Sequence, residues 1–179
     1  MATELDVLRI VSDRLSAAKF PFMLTGSFAL AYYAIPRMTR DLDLVVAVTE
    51  PDVDTLVTCF SSDFYVDADV VRDAVKSERM FNLMHYESGI KVDLIVRKSD
   101  EYRQLEFARR QPVSVAGVQT WIATREDLIL SKLVWAKDSG SELQMRDVRA
   151  LLESPFDAEY IRQWGRWLGV ADLLDRVLP

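Results

Sequence analysis

Apolar residues recur at Leu5, Leu8, Val11, Leu15 and Ala18, the spacing of one helical face. The pattern predicts an amphipathic helix over residues 4–19, ended by Pro21. A short extended run at 22–25 follows, and Gly26 turns the chain into a helix from 27 to about 35. Phe28, Ala29, Leu30, Ala31, Tyr32, Tyr33 and Ala34 make that helix apolar almost all round, which predicts burial, and Pro36 breaks it. The period then drops to two. Asp41 and Asp43 alternate with Leu42 and Leu44 in a strand over 41–48.

Pro51 suits the first position of a helix over 51–60, followed by a strand near 64–66 and a helix near 69–76. Residues 80–86 and 90–96 read as two strands turning through Glu87-Ser88-Gly89. A helix over 101–110 and an extended stretch over 112–122, with a turn at Gly117, complete the mixed part. From Thr124 onward the pattern is helical, opened by a capping signal at Thr124 and Asp127. Helices are expected at 125–137, 142–152, 158–168 and 171–177, with Pro155 as the break. The order predicts an α+β fold: residues 1–122 as a core of mixed β-sheet with flanking helices, and 123–179 as a C-terminal helical lobe packed against it.

Half of the 179 residues are hydrophobic, which supports a sizeable core and argues against disorder. No apolar run approaches the ~20 residues of a membrane span, and the N-terminal residues lack a basic, apolar leader pattern. The single Cys59 cannot form an internal disulfide, and its apolar surroundings predict packing rather than reactivity. These features predict a cytoplasmic location and no membrane partner. The net charge of −6, without a long Lys/Arg run, disfavours an extended grip on duplex DNA. It leaves room for contact with one end of an RNA, or for a small cationic substrate.

The chemistry concentrates in Leu24-Thr25-Gly26-Ser27 and Asp41-Leu42-Asp43-Leu44. Two carboxylates one residue apart on a strand share a face, about 6.5–7 Å apart. A Gly-Ser pair opening a helix offers backbone N–H groups and a hydroxyl to a phosphate. A third acid, Asp93, interrupts the apolar alternation of Lys91-Val92-Asp93-Leu94-Ile95-Val96. A carboxylate among such neighbours is costly unless paired or bound to metal. Three acids on adjacent strands, without His or Cys ligands, suit two Mg²⁺ ions about 3.5–4 Å apart, with Mn²⁺ as the alternative. A phosphate cradle facing such a site suits phosphoryl or nucleotidyl transfer.

Other polar and aromatic residues have plainer readings. His85, the only histidine, has no base or nucleophile partner nearby in sequence and reads as a packed strand residue. Trp121, Trp135, Trp164 and Trp167 read as core and interdomain packing, with base stacking as the alternative for one of them. Lys132 is solvated by default. Arg146-Asp147 reads as a helix-surface pair or an internal anchor.

Gly-Ser, a helix, Asp-x-Asp on a strand and a lone Asp on a later strand resemble the DNA polymerase β-like nucleotidyltransferase superfamily. Residues 24–46 and 91–96 carry that match. Pro36-Arg37-x-Thr39-Arg40-Asp41, Lys132-Leu133 and Glu142-Leu143-Gln144-x-Arg146-Asp147-Val148 resemble the small bacterial AbiEii/MenT-like nucleotidyltransferases. Several of those are toxins that modify RNA ends, and many have no assigned substrate. The resemblance covers most of the chain and implies a minimal nucleotidyltransferase fold with an NTP as substrate. It implies that Asp41 and Asp43 bind both metals, and that Asp93 binds the catalytic metal and helps activate the acceptor hydroxyl. Gly26 and Ser27 would hold the outer phosphates, with Arg37 and Arg40 neutralising phosphate charge and Lys132 contacting the triphosphate. The chain departs from the pattern at Thr25, where many relatives have a second glycine.

The expected activity is metal-dependent transfer of a nucleoside monophosphate from an NTP to an acceptor hydroxyl, with release of pyrophosphate. An RNA or protein acceptor competes with a small, antibiotic-like molecule. The rival reading is a non-catalytic arm of a toxin–antitoxin pair, and an antitoxin protein is the partner that the resemblance suggests.

Overall fold

The computed structural model describes residues 2–34 and 41–178. Arg37 and Arg40 therefore lie outside the described residues. Helix α1 (Glu4–Ala17) starts where Thr3 and Asp6 cap each other reciprocally, and it buries Val7, Leu8, Val11 and Leu15. After β1 (Phe22–Leu24), Gly26 opens α2 (Gly26–Tyr33) with φ at 63°. Strand β2 (Leu42–Val46) then returns antiparallel to β1.

A 3₁₀ turn at Glu50–Asp52 precedes α3 (Val53–Phe60), β3 (Phe64–Tyr65) and α4 (Ala68–Lys76). The hairpin of β4 (Met80–His85) and β5 (Lys91–Val96) leads through α5 (Glu101–Ala108) to a second hairpin. That hairpin is β6 (Gln111–Val115) and β7 (Val118–Ile122), turning at Ala116 and Gly117, both at positive φ. The chain closes with α6 (Arg125–Ser139), α7 (Glu142–Leu152), α8 (Ala158–Trp167) and α9 (Ala171–Asp175).

The fold is α+β. Seven strands form one mixed sheet in the order β3-β4-β5-β2-β1-β7-β6, parallel at β2–β5 and β1–β7 and antiparallel elsewhere. Strand periodicity decides which face does what. Leu42, Leu44 and Val46 on β2 and Val92, Leu94 and Val96 on β5 point into the main core, while Asp43 and Val45 leave the other way. Leu44 is fully buried, so Leu44→Ala should cost about 2–5 kcal/mol.

Helix α6 holds the helical part together. Thr124 caps its start, Gly140 closes its end in the left-handed conformation, and it packs against α2, α7, α8 and α9. No helix among the described residues is long and apolar enough to cross a membrane. Cys59 is partly buried against the core. His85 is buried, with Nδ1 2.9 Å from the Ser88 hydroxyl and its ring against Phe64, as a packed strand residue should be.

Candidate functional site

A cleft of about 780 Å³ opens on the sheet face that carries Asp43 and Val45, walled by α2, α5 and α6. The strands bring the acids together by register. Parallel pairing of β2 with β5 sets Asp43 directly across from Asp93, and antiparallel pairing sets Asn82 of β4 on the other side of Asp93. Asp41 lies two residues before Asp43 on the same side and is exposed.

Gly26 meets this row at close quarters. A Cβ on Gly26 would stand 2.0 Å from the Asp43 Oδ2 atom, so only glycine fits beneath that carboxylate. Ser27 follows, buried at the first turn of α2 and lining the cleft. Thr25 has extended backbone at φ −137°, and its N–H donates to the Asp43 carbonyl at 2.8 Å. A second glycine is therefore not demanded by conformation at this position.

The electrostatics of the row are unbalanced. Burial pushes the Asp43 carboxyl up to about 6, and repulsion from Asp93 and Asp41 adds to the effect, against the opposing pull of Lys132 and Lys91. Asp93 is buried and accepts a hydrogen bond from the Asn82 amide. The Lys91 ammonium stands 3.0 Å from Asp93 Oδ2 and 3.8 Å from Asp41 Oδ2, between the two carboxylates. Its hydrogen bond to Asp93 holds the Lys91 pKa above the usual lysine value.

The donor chemistry fits a hard divalent cation: oxygen only, with burial and neighbouring anions together pushing one carboxyl up to about 6. No three His, Cys, Asp or Glu side chains among the described residues close on a common centre. The ammonium of Lys91 supplies positive charge between Asp41 and Asp93 instead.

Lys132 is not the solvated lysine that its mid-helix position suggests. It is buried, with Nζ 2.8 Å from Asp147 Oδ2 and 3.1 Å from Gln144 Oε1, and it reaches the cleft wall. Asp147 is thus an internal anchor, while Arg146 is exposed, so the two are not a surface pair. Beside Lys132, Arg103 Nη1 donates to Glu106 Oε2 at 2.8 Å and to the Ser131 hydroxyl at 2.6 Å. Ser131 in turn donates to Glu106 Oε1 at 2.6 Å.

Sequence reasoning passed over Lys91, Asn82, Arg103 and Glu106. Lys91 was the accessible one, since it stands two residues from Asp93 on a strand and so shares its face. Asn82 needed the hairpin register, and Arg103 and Glu106 needed the docking of α5 on α6.

No curated protein matches the chain. Solved structures with the same fold include an antigenic nucleotidyltransferase-like protein from Paracoccidioides brasiliensis. It is 19% identical, with a TM-score of 0.63 over 97% of this chain and 88% of that one. ANT(2")-Ia in complex with adenylyl-2"-tobramycin is 15% identical, with a TM-score of 0.59 over 98% of both chains. The lincosamide antibiotic adenylyltransferase LnuA, with lincomycin bound, is 13% identical, with a TM-score of 0.54 over 84% of this chain and 97% of that one. The family model described as nucleotidyl transferase AbiEii toxin, type IV TA system, matches residues 9–168, from within α1 to the end of α8. With the sheet, the Gly-Ser turn and the row of acids inside that span, the chain belongs to the AbiEii nucleotidyltransferase family.

Proposed function

We propose that this chain transfers a nucleoside monophosphate from an NTP to a hydroxyl of an acceptor, with a divalent metal, Mg²⁺ or Mn²⁺, held by Asp41, Asp43 and Asp93. The observation that carries this reading is the register of Asp43 against Asp93, with Gly26 pressed onto the Asp43 carboxylate. It places the start of a helix beside the acids, so a phosphate held by Gly26 and Ser27 would lie next to the metal ligands. The metal would supply charge neutralisation for the phosphates and acidify the attacking hydroxyl. Gly26 and Ser27 would orient the triphosphate, and the buried Lys132 would add positive charge from the opposite wall. Arg37 and Arg40, next to Asp41 in sequence, would contact the same phosphates. In this reading residues 1–122 form the catalytic core and 123–179 the helical region that closes it.

For the acceptor we favour an RNA end. Lys91 and Arg103 are held to Asp93 and Glu106, but Arg97 and Lys98 also line the cleft, and these two cations suit a phosphodiester chain better than a cationic drug. A small-molecule acceptor is the competing reading, suggested by the antibiotic-modifying proteins that share the fold. An antitoxin protein is the partner that the type IV description suggests, and a cytoplasmic location would suit an NTP substrate.

The test is to incubate purified protein with Mg²⁺, each labelled NTP in turn, and either total RNA or a panel of aminoglycosides and lincosamides. Label entering RNA, and lost in Asp43→Asn, is the expected result. Label entering only the antibiotics would replace the RNA reading. No transfer to either, together with no NTP binding at millimolar concentration, would leave a non-catalytic toxin–antitoxin arm as the better account.

A further inference from the structure

Helix α6 presents Leu128, Ser131, Lys132, Trp135, Asp138 and Ser139 to the cleft, at the three- and four-residue spacing of one helix face. Within that stripe Trp135 is anomalous. Its side chain is 56% exposed although it lines a concave site, and it is the sole aromatic residue among the described residues lining the cleft. The other tryptophans have partners. Trp164 and Trp167 stack with each other and with Tyr102, and Trp121 carries the Arg110 guanidinium 5.0 Å from its ring. The Trp135 indole meets no ring or cation among the described residues. Packing, the expected role for the tryptophans, does not explain it.

We propose that Trp135 is the platform on which the base of the bound NTP stacks. The inference rests on the nucleotide reading above and adds how that site takes the base. Lys132 lines the cleft within electrostatic reach of Asp43, and Trp135 lies one helical turn further along α6 in the same lining. One turn is about 5.4 Å, comparable to the span of a ribose between an α-phosphate and its base. With the α-phosphate at the acids, the base therefore falls at the level of Trp135. An indole face attracts any base, because each has a π-face, so the platform adds affinity without selecting among nucleotides. A backbone-and-metal grip on the triphosphate has the same indifference, and the two together describe an NTP site that is tight but permissive.

Calorimetry on the full chain with Mg²⁺ tests this, using an ATP analogue with a methylene bridge between the α and β phosphorus atoms, and tripolyphosphate, which has no base. Trp135→Ala should weaken the analogue by about 5- to 100-fold and leave tripolyphosphate unchanged, and Trp135→Phe should restore binding to within about threefold of wild type. Because Trp135 is exposed, both variants should melt as the wild type does. Equal weakening of both ligands would show a structural role and overturn the proposal. So would unchanged analogue binding in Trp135→Ala, whether or not the acceptor KM rises. Wild type binding both ligands equally would overturn the stacking and leave the nucleotide site standing. Wild type binding neither would overturn both.

Discussion

Asp43 and Asp127 are both carboxylates withdrawn from water, and the protein treats them in opposite ways. Asp127, in the first turn of α6, is fully buried and completely partnered. Tyr160 and Tyr102 hydroxyls donate to Oδ1 at 2.6 and 3.3 Å, while Arg109 Nε and the Thr124 hydroxyl donate to Oδ2 at 3.0 and 2.6 Å. These contacts tie α5, α6 and α8 into one unit. Asp43 accepts no hydrogen bond from the described residues, faces two other acids, and holds its proton up to about pH 6. A closed carboxylate stabilises a fold; an open one, crowded by its own kind, suits the cation that the proposed reaction needs.

The largest effect expected from this contrast is on activity. Asp43→Asn should lower nucleotidyl transfer by at least about 10³-fold, since the charge proposed to bind the metal is gone. Yet the metal-free variant should melt no lower than wild type, because like-charge crowding is relieved. Asp43→Asn that unfolds, or that keeps metal-dependent thermal stabilisation, would show Asp43 to be a structural acceptor like Asp127. Next in size is Asp127→Ala, which should cost about 3–5 kcal/mol in urea denaturation by stranding the buried Tyr102 and the half-buried Arg109 and Tyr160 donors. Lys132→Ala belongs with Asp127, since it removes a buried partner of Asp147. Its activity loss is interpretable only beside a stability measurement.

A smaller effect follows from pH. The folded Asp43 holds its proton to about pH 6 whereas the unfolded chain releases it near 3.8. Between those values the native state binds more protons, so this group lowers stability as pH rises through the window. The deficit is complete above pH 6, at about 1–2 kcal/mol after allowing for solvent screening. Metal-free wild type minus Asp43→Asn, measured by urea denaturation from pH 4 to 7, should show this slope. A flat difference would mean that the acids do not crowd in solution.

The two regions were also unequally legible. Alternation of Asp with Leu placed Asp43 and its face correctly, because a strand's period of two leaves no choice of side. Asp93 was legible because a lone acid breaks the apolar alternation of β5. Asp127 was visible only as half of a cap, since Tyr102, Arg109 and Tyr160 reach it from distant sequence. The default reading of Lys132 as solvated failed for the same reason: nothing local reveals that α7 brings Asp147 to it. Trp135 inverted the usual inference, since a large aromatic reads as core until its surroundings show an open cleft. Periodicity assigns faces; helix docking assigns partners, and only the first is local.

The smallest effect sharpens the comparison most, because it concerns a cation already among the acids. Lys91 lies between Asp93 and Asp41, and about a third of its side chain is exposed, so water screens both pairs. If its ammonium stands in for the charge of a metal, Lys91→Met should tighten Mn²⁺ binding by up to about tenfold, since no cation then has to be displaced. Without metal the same variant should lose up to about 1 kcal/mol, as the acids repel without their shield. Opposite signs in the two conditions are the signature of a placeholder. Isothermal titration with Mn²⁺, paired with urea denaturation in EDTA, reads both. Weaker Mn²⁺ binding in Lys91→Met would show that Lys91 instead orients Asp93, in the way that Arg109 supports Asp127. The acid row would then be a partnered structure rather than an open one.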